Sequence, residues 1–168
     1  ILTAFSLAAV SILGIYFKMQ SFIFIPIFGL THGLMPIIGY NYGAKNKDRI
    51  VSALKIAYGV AVTIAVAGTA IFFFGNGILL KLFNATPEMM EIGKQALQII
   101  SLCLPFAAIS IISSNLFQAT GFGFRSLIVS TTRQVILLLP FAVFASRYMG
   151  PSGVWWAYVV AEVGSVII

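Results

Sequence analysis

Three long stretches of this chain carry no charge at all, residues 19–44, 56–80 and 95–124, and a fourth, 126–146, contains only Arg133. A helix needs about 20 mostly apolar residues to cross a hydrocarbon core of roughly 30 Å, so each stretch is long enough to span a bilayer. A fifth run begins near Pro151 and is interrupted by Glu162. Composition agrees: of 168 residues, 60% are hydrophobic and 8% charged, against roughly a quarter charged in an average soluble domain. An ordinary water-soluble domain is excluded, and the predicted fold class is all-α, a polytopic membrane helical bundle.

The predicted spans cover about 10–40, 48–74, 87–120, 125–147 and 151–168 of a single unit, 1–168. The uncharged residues 1–17 are too many to belong wholly to the first span, and are assigned to the tail of a preceding helix and a tight turn. Both ends lie inside apolar sequence without a charged leader, so the chain reads as a piece of something longer.

Ten Lys and Arg against four Asp and Glu give a formal charge of +6, but the charges are spaced along the chain without a basic block, which argues against a nucleic-acid partner. Their placement orients the bundle instead. Lys45, Lys47, Arg49, Lys55 and Arg125 fall on one side and Lys81, Lys94 and Arg147 on the other, so the positive-inside rule puts the 41–55 connection in the cytoplasm. In Asn84-Ala85-Thr86-Pro87-Glu88, Thr86 is a suitable helix cap, Pro87 a first helical residue and Glu88 a match for the positive helix end. Asn84-Ala85-Thr86 also fits a glycosylation sequon, but capping accounts for the same residues. The stretch 78–83 is too short to span and is expected along the outer interface. Tyr148, Trp155, Trp156 and Tyr158 are expected as an aromatic belt.

Catalytic chemistry finds no footing here. One histidine, one cysteine (Cys103) and four scattered carboxylates supply neither a metal-ligand spacing nor a triad, so no enzyme and no cofactor are expected. His32, inside a span, is read as bonding a backbone carbonyl, the alternative being a proton relay. Pro26, Gly29, Gly33, Pro36 and Gly39 punctuate one span, and either bend it, as in the broken helices of transporters, or allow close packing.

Intramembrane charges are costly, and Lys18, Arg133 and Glu162 are the candidates. Lys18 falls near the outer interface, where its side chain snorkels to water. Arg133 is eight residues past Arg125, ~12 Å from the cytoplasmic end, and Glu162 eleven past Pro151, ~16 Å from the outer end. In a core of roughly 30 Å these depths nearly coincide, and an ion pair between the two would lower the cost of burying either. Ser110, Ser113, Ser114, Asn115 and Gln118 collect in a third span, the serines as interhelical glue and Asn115 with Gln118 as one face of a polar path.

The stretches Gly14-Ile15-Tyr16-Phe17-Lys18-Met19-Gln20-Ser21-Phe22, Pro26-Ile27-Phe28-Gly29-Leu30 and Pro36-Ile37-Ile38-Gly39-Tyr40-Asn41-Tyr42-Gly43-Ala44-Lys45-Asn46, the last followed by Arg49, resemble the multidrug and toxic compound extrusion (MATE) transporters. Phe117-Gln118-Ala119-Thr120-Gly121 is similar to the end of that family's tenth helix, Arg133-Gln134 with Pro140 to its eleventh, and Gly153-Val154-Trp155-Trp156-Ala157 to the start of its twelfth. The resemblance implies part of the C-terminal lobe, helices eight to eleven and part of twelve, of a two-lobed antiporter in the cytoplasmic membrane that exchanges Na+ or H+ for organic cations or amphipathic drugs. It implies as partners the lipid bilayer and the N-terminal lobe of the same polypeptide. Residues 95–120 lack the acidic residue that some branches carry in the tenth helix. That points to a branch similar to the DinF and MepA transporters, with the coupling-ion site in the N-terminal lobe.

On this reading Gln20, Asn115, Gln118 and Gln134 are the substrate-path candidates, and Pro26, Gly29, Pro36, Gly39, Asn41 and Gly43 shape the helix bend and cytoplasmic turn. Two alternatives stand. A lipid-linked oligosaccharide flippase of the same superfamily needs a strongly basic cavity, and a non-transporting membrane scaffold predicts packed faces with no cavity.

Overall fold

In a computed structural model the described residues are Leu2 and 6–167. They form seven α-helices: α1 (Leu7–Gly43), α2 (Lys47–Leu82), α3 (Pro87–Ser101), α4 (Leu104–Ala119), α5 (Gly123–Thr131), α6 (Leu139–Met149) and α7 (Pro151–Ile167). A π-helical turn, Thr132–Leu138, joins α5 to α6, making Gly123–Met149 one continuous rod of 27 residues. That rod, α1 and α2 are each long and apolar enough to cross a membrane, and α3 with α4 forms a fourth crossing bent by 44°.

Four connections turn on one residue with positive φ: Lys45 (56°) after α1, Asn84 (52°) after α2, Gly121 (86°) after α4 and Gly150 (60°) after α6. Side-chain caps start the following helices where the sequence offers them. Asn46 accepts from Arg49 N at 3.2 Å, and Thr86 accepts from Met89 N at 3.4 Å with Pro87 in the first turn.

The spine of the bundle is α2, packed on α1, α3 and α4, while α7 packs on α6, α3 and α4. The buried face of α2 runs Ala57, Ala61, Ala65, Gly68, Phe72, Asn76 and Leu80. Small residues four apart let neighbouring backbones approach closely, the usual basis of helix association where lipid offers no hydrophobic drive. Gly68 shows how closely: a Cβ there would lie 2.5 Å from Ile23 Cδ1. Gly153 is tighter, its Cβ position being 2.4 Å from the Ala145 carbonyl, so α6 and α7 meet backbone to backbone.

Hydroxyls link the helices where packing alone would leave polar atoms in an apolar interior. Tyr58 Oη pairs with Ser113 Oγ at 2.8 Å and Ser110 Oγ with Ser165 Oγ at 2.7 Å, and Ser114 bonds Ser126. All three serines therefore join α4 to a different neighbour.

Several sequence expectations are corrected. Residues 7–17 are neither a preceding helix tail nor a turn but the first turns of α1, while 1 and 3–5 lie outside the described residues. The stretch 78–83 is no separate interfacial segment, since α2 continues to Leu82 and Lys81 serves its negative end. The expected single span 87–120 breaks at Leu102 and Cys103, because Pro105 cannot donate to the Ser101 carbonyl four residues back.

By contrast α1 runs unbroken through Pro26 and Pro36. Gly29, Gly33 and Gly43 have open space where a Cβ would stand, and Gly39 meets only the Ala119 carbonyl at 3.5 Å. These glycines neither break the helix nor carry its tight contacts. Gly43 closes α1 and the left-handed residue of the turn is Lys45, while Asn41 donates from Nδ2 to the Ile37 carbonyl at 2.8 Å and its own carbonyl accepts from Asn46 N at 2.9 Å. His32 lies exposed on α1, and it is neighbouring Thr31 that bonds a backbone carbonyl, that of Phe28. The aromatic belt divides: Tyr148 and Trp156 are exposed, but Trp155 is 1% exposed in the core and Tyr158 turns inward.

Candidate functional site

Between α1, the break before α4, the π-helical turn and α7 lies a cavity of about 320 Å³. Its α1 wall is built by Tyr16, Gln20, Phe24 and Phe28, four residues apart and hence on one face of the helix. Opposite stand Arg133 and Gln134 on the π-helical turn and Tyr158 and Glu162 on α7. Wide π turns recur at functional sites, and this one sits just ahead of Pro140, which has no N–H to give to Ile136.

The charged centre is the pair of Arg133 with Glu162. One guanidinium nitrogen, Nη1, donates to both carboxylate oxygens, at 2.9 Å to Oε1 and 3.1 Å to Oε2. The side chains keep 28% and 16% of their surface open, and both line the cavity, so the pair is largely buried yet reachable from it. The rod Gly123–Met149 folds back on α7 through the turn at Gly150, and its π-helical turn packs on α7, which brings the two depths level. The Arg133 Nε is buried without a hydrogen-bond partner among the described residues. Tyr16 Oη lies 3.6 Å from Cys103 Sγ at the floor, and Phe17 meets Tyr158 edge to face at 6.1 Å. Among the described residues no three His, Cys, Asp or Glu side chains gather as a metal site.

Of the four path candidates, the structure brings Gln20 and Gln134 to this cavity with the ion pair. Asn115 and Gln118 are not on it. Gln118 Nε2 donates to Ser126 Oγ at 3.2 Å, joining α4 to α5, and Asn115 is half-buried with its Oδ1 enclosed. Gln118 thus bridges α4 to α5, whereas the Asn115 Oδ1 has no hydrogen-bond partner among the described residues. Sequence reasoning missed the aromatic wall. The four-residue recurrence of Tyr16, Gln20, Phe24 and Phe28 was the available signal, masked because every face of α1 is apolar.

A bent, hydroxyl-stitched bundle of helices long enough to span a bilayer, enclosing a charged and aromatic cavity, is the build of a multi-pass membrane protein. The chain belongs to the MatE family, whose model matches residues 1–144. It is 28% identical over 155 residues to the multidrug export protein MepA of Staphylococcus haemolyticus, covering 92% of this chain and 34% of that protein. The MepA proteins of Staphylococcus aureus match over the same length at 27–28% identity. The chain thus spans about a third of the length of the curated relatives it matches.

Among solved structures it is similar to the MATE multidrug transporter DinF-BH, at 31% identity and a TM-score of 0.84, covering 94% of this chain and 35% of that one. The fold also matches the Vibrio cholerae MATE transporter VcmN in its bent form, with a TM-score of 0.92 over 99% of this chain and 38% of that one, at 21% identity.

Proposed function

We propose that this chain is the C-terminal lobe of a MATE multidrug antiporter, exporting organic cations and amphipathic drugs across the cytoplasmic membrane in exchange for Na+ or H+. The observation that carries the reading is the cavity itself. Aromatic rings, two amide side chains and a paired carboxylate line a volume at the lower end of the range for small-molecule pockets. Ring faces attract organic cations, and the amides give hydrogen bonds without committing to one substrate shape. The cavity speaks against a purely packed scaffold. Its single guanidinium, already neutralised by Glu162, speaks against a flippase for pyrophosphate-linked sugars. The coupling-ion site and the second wall of the translocation path are assigned to the N-terminal lobe.

The test is to express the full reading frame in cells lacking efflux pumps and to follow dye retention under imposed Na+ and pH gradients. Faster dye loss under one gradient is expected, and the gradient that drives it names the ion. Retention unchanged under both overturns the reading.

A further inference from the structure

The ion pair at the centre of the cavity is held loosely for a buried one. A guanidinium binds a carboxylate best through two nitrogens in a fork, yet here Nη1 alone straddles both oxygens and Nε stays unpartnered. Arg133 also borders a second space of about 80 Å³, walled by the hydroxyl residues Ser110, Ser114, Ser130 and Ser165. One side chain therefore faces two compartments, one offering a carboxylate and rings, the other serine hydroxyls beside Ile111 and Val129. Its mounting is the π-helical turn Thr132–Leu138. A π turn holds one residue more than an α turn, so its relaxation to α geometry would rotate Arg133 by about 100° around the helix axis.

From this geometry we propose that Glu162 is the counter-ion for the transported organic cation and that Arg133 is a tethered cation occupying the same place when the site is empty. An arriving cation takes the carboxylate and stacks on the rings, while the guanidinium turns to the serine-lined space. When the guest leaves, Arg133 returns, so the lobe never leaves a bare carboxylate in the membrane, where its burial would be most costly. Arg133 and the guest compete for one anion, which lets the protein itself expel what it has bound. This rests on the reading of the cavity as a substrate site.

The test uses the purified full-length protein in lipid nanodiscs, with ethidium as a planar monovalent cation and N-phenyl-1-naphthylamine as a neutral aromatic, both read by fluorescence titration. Glu162→Gln is expected to weaken ethidium binding at least tenfold and to leave the neutral probe within twofold. Arg133→Gln is expected to tighten ethidium binding threefold or more, since the competitor is gone. Arg133→Lys keeps a charge pair and hence the fold, loses the guanidinium geometry, and is expected to shift binding in the same direction by less. If both Arg133 variants weaken ethidium as Glu162→Gln does, the pair is merely structural and the inference falls. Should Arg133→Gln not fold, Arg133→Lys decides. Wild-type protein that binds ethidium while Glu162→Gln binds it equally overturns this inference alone. Wild-type protein that neither binds nor exports such cations overturns the functional reading and the inference with it.

Discussion

Thr69 on α2 donates its hydroxyl to the carbonyl of Ser101 on α3 at 2.9 Å, and that carbonyl is the one Pro105 leaves without its helical donor. The bend between α3 and α4 is thus created by one residue and satisfied by another 36 positions away in sequence. An unpaired carbonyl in an apolar interior costs roughly 1–3 kcal/mol, which is why a break at membrane depth needs such a partner.

Thr69→Val should therefore lower stability by about 1 kcal/mol, within the range measured for interhelical hydrogen bonds in membranes, while Thr69→Ser stays near wild type. Thermal unfolding in detergent, followed by size-exclusion chromatography, measures it. In a Pro105→Ala background the Ser101 carbonyl regains a backbone donor, so the cost of Thr69→Val should shrink. Equal costs in both backgrounds would contradict the coupling.

The contact of Gly153 with Ala145 makes a second prediction. A methyl at Gly153 would stand 2.4 Å from a backbone carbonyl and 2.8 Å from Ser146 N, atoms that cannot rotate away. Gly153→Ala should destabilise by about 1–3 kcal/mol, as overpacking does. Gly59 has nothing within 4 Å of its Cβ position and lies mid-helix, so Gly59→Ala should be neutral or stabilising by up to about 1 kcal/mol. Melting curves of the two variants that coincide would refute the distinction.

Left-handed backbone gives the third. Gly150, with φ 60° and ψ −145°, sits in a region essentially reserved for glycine, and Gly150→Ala should cost about 1–3 kcal/mol. Lys45, at φ 56°, bears the side chain that glycine would spare, so Lys45→Gly should gain about 0.5–1 kcal/mol. Stability changes of the opposite sign at either position would show that the turn is held by something other than backbone conformation.

Orientation provides the fourth. Cys103 is 2% exposed, so single cysteines introduced elsewhere in this lobe will dominate its labelling. In intact cells a membrane-impermeant thiol reagent should label a cysteine replacing Ala85 and spare one replacing Asn46 until the membrane is opened. The reverse pattern would invert the topology deduced from the basic residues.

Much of this was readable from residues alone. The uncharged runs announced helices of spanning length, and Thr86-Pro87-Glu88 marked a helix start where one begins. Even the nearness of Arg133 to Glu162 followed from counting rises along antiparallel helices, because depth in a membrane is a one-dimensional quantity that sequence position encodes. Helix ends were harder, since an apolar helix can run on past the hydrocarbon core, as α2 does to Leu82. Hydrogen-bonded helix continues through the two prolines of α1, whereas Pro105 marks a break that only the gap at Leu102 and Cys103 exposed.

Sequence by itself thus determined that this chain is a membrane bundle, roughly where it crosses, and which charges lie at matching depths. Rotation about each helix axis was left to tertiary structure. When every face of a helix is apolar, hydrophobic periodicity cannot say which residues turn inward, and packing decides instead. That packing drew Tyr16, Gln20 and Phe24 to the cavity with Gln134, sent Gln118 to the α4–α5 junction, and buried Trp155 beside an exposed Trp156.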